Sequence, residues 1–275
     1  MSSSVKGKAK VLQVITIFIL SMLLILCIVP FFMMVVTSFD KTANISLAFP
    51  PKLDVSKWSL YNYSFVIKNY QLTKYFLNTM IVTAVSVFII LASSLVAGYG
   101  YSMLDFPFKK QIFLFSLGAM MIPGALTLIP GFLLIKAMGL YNSYFALWIP
   151  LFGSVYNFFF AKQFIDSLPG DLRSAAQIDG LGELNIFLKI YLPLCGPILA
   201  TLGILQFIGV YNDMLGPLIY LKDTEKHTLT VRLAFITAGR NTSAHGVNMA
   251  LSVLTMLPII IMFTFFQRYI IESIA

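Results

Sequence analysis

The sequence predicts an all-α integral membrane protein, on three observations. Hydrophobic residues make up 59% of the 275-residue chain, charged residues only 11%, and the mean hydropathy is +0.87. Soluble domains carry roughly a quarter of their residues charged, so the solvent this composition suits is lipid. The apolar residues also fall in continuous blocks of about 20, the length a helix needs to cross the hydrocarbon core. In lipid each crossing segment must satisfy its own backbone groups, which a helix does.

Six blocks reach that length, at about 12–37, 76–101, 112–135, 144–161, 194–215 and 247–267. The first follows Lys6, Lys8 and Lys10 and runs without a charge from Leu12 to Val36. It is longer than the apolar core of a secretory signal and is read as a spanning helix. The fourth block is the shortest. Six spans place both termini on one side of the membrane, and residues 1–275 are read as a single transmembrane domain.

Lysine and arginine in short flanking segments set the orientation. Lys6, Lys8, Lys10, the turn with Lys109 and Lys110, the segment with Lys162, Arg173 and Lys189, and Arg268 are assigned to the inside. Lys41, Lys52, Lys57, Lys68, Lys74, Lys222, Lys226, Arg232 and Arg240 fall on the other side, in longer loops that the rule weights less. The longest outer segments are 38–75 and 216–246. The first holds a Pro50-Pro51 turn, then Trp58, Tyr61, Tyr63 and Tyr70, aromatics of the kind that mark a membrane surface.

Several functions are excluded or disfavoured. The net charge of +8 comes from cations scattered between apolar blocks, with no basic stripe beside stacking aromatics, so no nucleic-acid partner is expected. Cys27 and Cys195 lie at different expected depths and are read as free thiols. An ion-coupled carrier needs ionisable groups within its spans, and Asp213 is the one acid near a span, read as a locally hydrogen-bonded boundary residue. His227 and His245 are read as solvated loop histidines without a metal-binding neighbour. The chain has no G-x-x-x-x-G-K-[ST] pattern, so any ATP hydrolysis is expected of another polypeptide.

The most informative stretch is 163–193. Pro169 suits a first helical position, Asp171 complements the positive helix end, and Gly180 supplies the left-handed conformation that closes a helix. On that helix Leu172, Ala175, Ala176 and Asp179 stand at i, i+3, i+4 and i+7 and share one face. So small an apolar face gains little from burial in its own chain and suits a cleft on a partner protein, but any short loop helix can show the same spacing.

Ala175-Ala176-x-x-Asp179-Gly180, then Phe187-x-x-Ile190-x-Leu192-Pro193-x-x-x-Pro197, resembles the EAA loop of binding-protein-dependent ABC importer permeases. The family's glutamate before the alanines is Ser174 here. Thr37-Ser38-Phe39, Asn62-Tyr63, Phe76-Leu77-Asn78-Thr79, Met121-Ile122-Pro123, Tyr211-Asn212-Asp213 and Leu257-Pro258 extend the resemblance, toward the maltose-permease-like second subunit of the carbohydrate branch.

The resemblance implies a six-helix permease with a cytoplasmic coupling helix between helices 4 and 5, in a bacterial cytoplasmic membrane with both termini cytoplasmic. Implied partners are a second homologous permease, a cytoplasmic ABC ATPase dimer that binds the ATP and magnesium, and an extracytoplasmic solute-binding protein. The coupling residues would be Leu172, Ser174, Ala175, Ala176, Asp179 and Gly180. Tyr156, Asn157, Gln206, Tyr211, Asn212 and Asp213 are candidates for lining the substrate path, since sugars are held by aromatic stacking and by side-chain amides and carboxylates. Amino-acid, phosphate and polyamine permeases share the loop and stand as alternatives, as does, at greater distance, a secondary transporter.

Overall fold

The computed structural model describes residues 2–45, 54–239 and 244–274. The Pro50-Pro51 turn, Lys52 and Arg240 lie outside the described residues. Those described are overwhelmingly helical, with a lone backbone bridge between Asp40 and Trp58. The chain forms two compact units, Met1–Leu72 with Phe235–Leu257, and Thr73–Ala234 with Pro258–Ala275.

The first unit is built on helix α1, Ser2–Phe39, whose apolar stretch Leu12–Phe39 is almost wholly uncovered by protein. A surface of Leu, Ile and Phe on every side is stable only in lipid. The chain then turns back into α2, Tyr61–Asn69. Here the Thr37-Ser38-Phe39 and Asn62-Tyr63 motifs meet. Fully buried Asn62 donates from Nδ2 to Ser38 O at 2.9 Å, Ser38 Oγ pairs with Tyr63 Oη at 2.6 Å, and Phe39 stacks on Trp58 with centroids 5.6 Å apart. Asn44 Nδ2 donates to Asn62 Oδ1, and Val247 N donates to Asn44 Oδ1. Gly246 passes so close that a Cβ there would stand 2.7 Å from Asp40 O.

The second unit holds most of the chain. Helix α3, Leu72–Met103, matches the second expected span. The third is not straight. It comprises α4, Lys109–Met120, and α5, Gly124–Ala137, bent by 104° around Met121-Ile122-Pro123, where Pro123 has no N–H to continue the ladder. The fourth block, 144–161, is interrupted as well. A turn of helix at Phe145–Trp148 passes into a 3₁₀ segment, Ile149–Gly153, before α6, Val155–Asp166. Pro150 and Gly153 account for the interruption. Among the described residues three helices can by length and composition cross a membrane singly, or up to five if each bent pair is one span.

After α6 come α7, Asp171–Ile178, and α8, Glu183–Leu194, the latter with a π turn at Phe187–Tyr191. Then α9, Gly196–Tyr211, leaves α8 at 74°. The fifth span is thus not a direct continuation of the preceding helix, because Pro193, Gly196 and Pro197 surround the break. The remaining helices are α10, Leu215–Tyr220, α11, Leu229–Ala238, and α12, His245–Ile274, whose apolar part ends at Gln267. His227, expected in solvent, is buried at 8% exposure, with its backbone carbonyl accepting from Asn78 Nδ2 at 3.0 Å. Burial lowers the pKa of its imidazole.

Candidate coupling surface

The segment between α6 and α9 folds as the sequence indicates at its turn. Gly180 has φ +78°. Leu181 N donates to Ala176 O and Gly180 N to Gln177 O, both at 3.0 Å. That pair of bonds is the Schellman closure, which needs a left-handed residue at the glycine. The helix begins at Asp171, two residues after Pro169 rather than on it, with Leu172 N donating to Pro169 O at 3.3 Å.

The expected face of α7 is corrected by the packing. Ala176 is buried at 3% exposure in its own chain, among Leu95 and Tyr99 of α3, Ala161 and Ile165 of α6, Ile186, Phe187 and Tyr191 of α8, and Cys195. Leu172 is half-buried, whereas Ser174, Ala175, Asp179 and Gly180 are exposed. The small alanine side chain lets α7 lie directly on an aromatic cluster in which Tyr99 contacts Phe187 and Tyr191 at centroid distances of 5.2 and 5.1 Å. So Ala176, with Leu172 in part, points inward. The surface free for another protein comprises Ser174, Ala175 and Asp179, with Ile178 87% exposed beside them.

Sequence reasoning missed the group that fastens this surface. Glu183, at the start of α8, accepts from Arg173 Nη2 at 2.5 Å and Nε at 3.1 Å, and from Gln177 Nε2 at 3.0 Å. Its other oxygen accepts from Tyr99 Oη at 2.7 Å. One carboxylate therefore ties α7 and α8 to each other and to α3. The hydrogen bond from Arg173 holds its carboxyl below the usual range, helped by those from Tyr99 and Gln177. The base of the assembly is equally tight, because α3 and α6 touch at Gly98, where a Cβ would stand 3.0 Å from Lys162 N. A helix held at this many points moves with its supports.

The path candidates are distributed over α6, α9 and the turn before α10. Asn157 is buried and donates to Ser154 Oγ at 2.6 Å, Tyr156 is exposed on the same helix, and Gln206 is half-buried on α9. Tyr211 is buried against Phe207, with stacked rings 5.7 Å apart, and Asn212 donates to Ile208 O. Asp213 accepts from Gly216 N at 3.2 Å at the start of α10, the local boundary role expected of it, and also lines a cavity of about 140 Å³ with Ser86 and Tyr220.

No protein-family model matches the chain. Among curated proteins it is 37% identical over 202 residues to the arabinooligosaccharides transport system permease protein AraQ of Halalkalibacterium halodurans, covering 73% of this chain and 71% of that one. It is 32% identical over 225 residues to AraQ of Bacillus subtilis, covering 81% and 79%. The chain belongs to the ABC importer permeases of the carbohydrate branch. Its fold is also that of a solved structure described as a bacterial ABC transporter involved in the import of the acidic polysaccharide alginate, with TM-score 0.83, 22% identity, and 94% and 96% of the two chains covered.

As an ABC importer permease, the protein is a non-catalytic transport subunit and a multi-pass membrane protein. The loop that carries its family motif is the segment fastened by Glu183.

Proposed function

We propose that this permease is one half of the membrane path of an ATP-driven, binding-protein-dependent oligosaccharide importer, and that α7 is its coupling helix. The observation that carries the reading is the geometry of α7. Its apolar side is locked on its own chain, and Ser174, Ala175, Ile178 and Asp179 are left exposed at a turn with no further use for them. On this reading a separate ATPase dimer binds ATP and magnesium and grips that exposed side. A second permease completes the path, a solute-binding protein delivers sugar from outside, and both termini lie in the cytoplasm. Movement of the ATPases on ATP binding is passed through α7 and the Glu183 clasp to α3, α6 and α8 as a rigid-body shift, favouring the state that ATP binds more tightly. The oligosaccharide assignment rests on the transport systems of the relatives.

Uptake tests the reading. A strain of the source organism lacking the gene should lose accumulation of labelled oligosaccharides, arabinooligosaccharides first, and regain it from a plasmid copy. Unchanged uptake of every oligosaccharide together with lost uptake of an amino acid, phosphate or polyamine would assign the subunit to another solute.

A further inference from the structure

At the end of α3 and α6 that leads into the coupling segment, a hollow of about 350 Å³ is lined by Tyr101, Ser102, Lys109, Lys110, Phe113, Lys162 and Asp166. Three ammonium groups face one carboxylate in that lining. Lys162 pairs with Asp166 at 2.5 Å and lies 5.0 Å from the centroid of the Phe113 ring. Lys109 donates to Leu104 O at 2.8 Å, with Asp105 3.7 Å away. Lys110 is exposed and forms no ion pair among the described residues. The positive charge is thus only partly matched within the protein.

The surroundings decide what would match it. Along α4, exposed Ile112 and Leu114 stand on either side of the strip that Lys109, Lys110 and Phe113 turn to the hollow, an apolar face bordering the basic pocket. A solute that is only an anion leaves that face unused, whereas a molecule with an anionic head and apolar tails uses both. Basic pockets between membrane helices hold anionic headgroups in this way, and Tyr101 adds a hydroxyl donor for a phosphate oxygen, whereas the Ser102 hydroxyl already donates to Lys162 O.

We infer that this hollow binds the headgroup of an anionic phospholipid, a phosphodiester on glycerol, with its acyl chains along α4. The bound headgroup bridges α4 to the last turn of α6, where the coupling segment begins. Which leaflet supplies the lipid rests on the orientation given under Proposed function, and the binding itself does not.

Native mass spectrometry of the importer purified from membranes as an assembled complex tests the inference, with phosphatidylglycerol and phosphatidylcholine offered in turn. Wild type should retain phosphatidylglycerol in preference to phosphatidylcholine. Lys110→Gln should weaken that retention by about fivefold, the weight of one basic side chain at an anionic surface, and Lys109→Gln/Lys110→Gln should weaken it further. Lys110→Arg should restore it, which separates charge from folding, and Lys222→Gln in another loop should change nothing. Inorganic phosphate should not displace the lipid at matched concentration. Equal retention by wild type and the double variant would overturn the inference, and displacement by inorganic phosphate would show a simple anion site instead.

Discussion

Removing the carboxylate of Glu183 should loosen the coupling segment without unfolding the permease. Glu183→Ala leaves the Tyr99 hydroxyl, the Arg173 guanidinium and the Gln177 amide without their shared acceptor. Hydrogen bonds to charged groups contribute about 1.5–3 kcal/mol each. Here the arginine and glutamate side chains are 28% and 38% exposed, and solvent screening brings the ion pair toward about 1 kcal/mol. The buried side of the clasp, at Tyr99, keeps more of its value. A loss of about 2 kcal/mol in local stability follows, a factor of roughly 30 in the fraction of time the segment is open. Hydrogen exchange of the amides from Asp171 to Ile186, measured on the assembled complex, reads that opening directly. ATP hydrolysis with loaded binding protein reads its consequence for coupling. Glu183→Gln should fall between, because the amide can still accept from Arg173. Because the carboxyl pKa is lowered in the folded segment, the clasp is complete above the ordinary carboxylate value of about 4.3 and is lost as pH falls from there through the folded value. Exchange protection should therefore be flat between pH 5 and 8. Unchanged exchange in Glu183→Ala, or a loss of protection centred near neutrality in wild type, would refute the reasoning.

Two adjacent alanines should respond differently. Ala176→Leu overpacks the cluster beneath α7, costs about 1–3 kcal/mol and displaces the helix, seen as faster exchange in α7. Ala175→Trp leaves α7 folded but weakens recovery of the ATPase on purification, while Ser174→Ala, which removes only an exposed hydroxyl, should leave coupling nearly intact. At Gly98 the contact is with backbone atoms that cannot swing aside, so Gly98→Val should lower the melting temperature of the complex more than Gly100→Val, where the space is open. The outer segment around His227 should loosen as pH falls below about 6.5, because burial lowers the pKa of this imidazole and its stabilising contribution is present only above the ordinary value. Protease cleavage near His227 that does not change from pH 8 to 5 would contradict this.

Composition made the helical membrane fold legible because lipid leaves the backbone few alternatives. The Gly180 turn was legible too, since a closing glycine acts locally. What escaped was geometry that depends on distant partners. The burial of Ala176 follows from an aromatic cluster supplied by α3, α6 and α8, so spacing along α7 put Leu172, Ala175, Ala176 and Asp179 on one side, whereas packing buries Ala176 and leaves Ala175 and Asp179 exposed. The Glu183 clasp needs Tyr99 from a helix far away in sequence, and Arg173 and Glu183 lie on opposite sides of a turn, where helical periodicity gives no pairing. The 104° bend at Met121-Ile122-Pro123 and the break through Pro150 and Gly153 were visible as prolines and glycines. A hydropathy window averages over them. His227 was placed in solvent for the same kind of reason, because its burial comes from tertiary packing around the outer loop.

The most direct test of the account is transport by the purified complex reconstituted in liposomes, with ATP and magnesium on the side of α7 and labelled oligosaccharide with its binding protein on the other. The account predicts accumulation that requires ATP, requires the binding protein, and falls in step with ATP hydrolysis when Ala175→Trp replaces wild type. Accumulation driven by an ion gradient without ATP, or full ATP-dependent transport with Ala175→Trp, would contradict it.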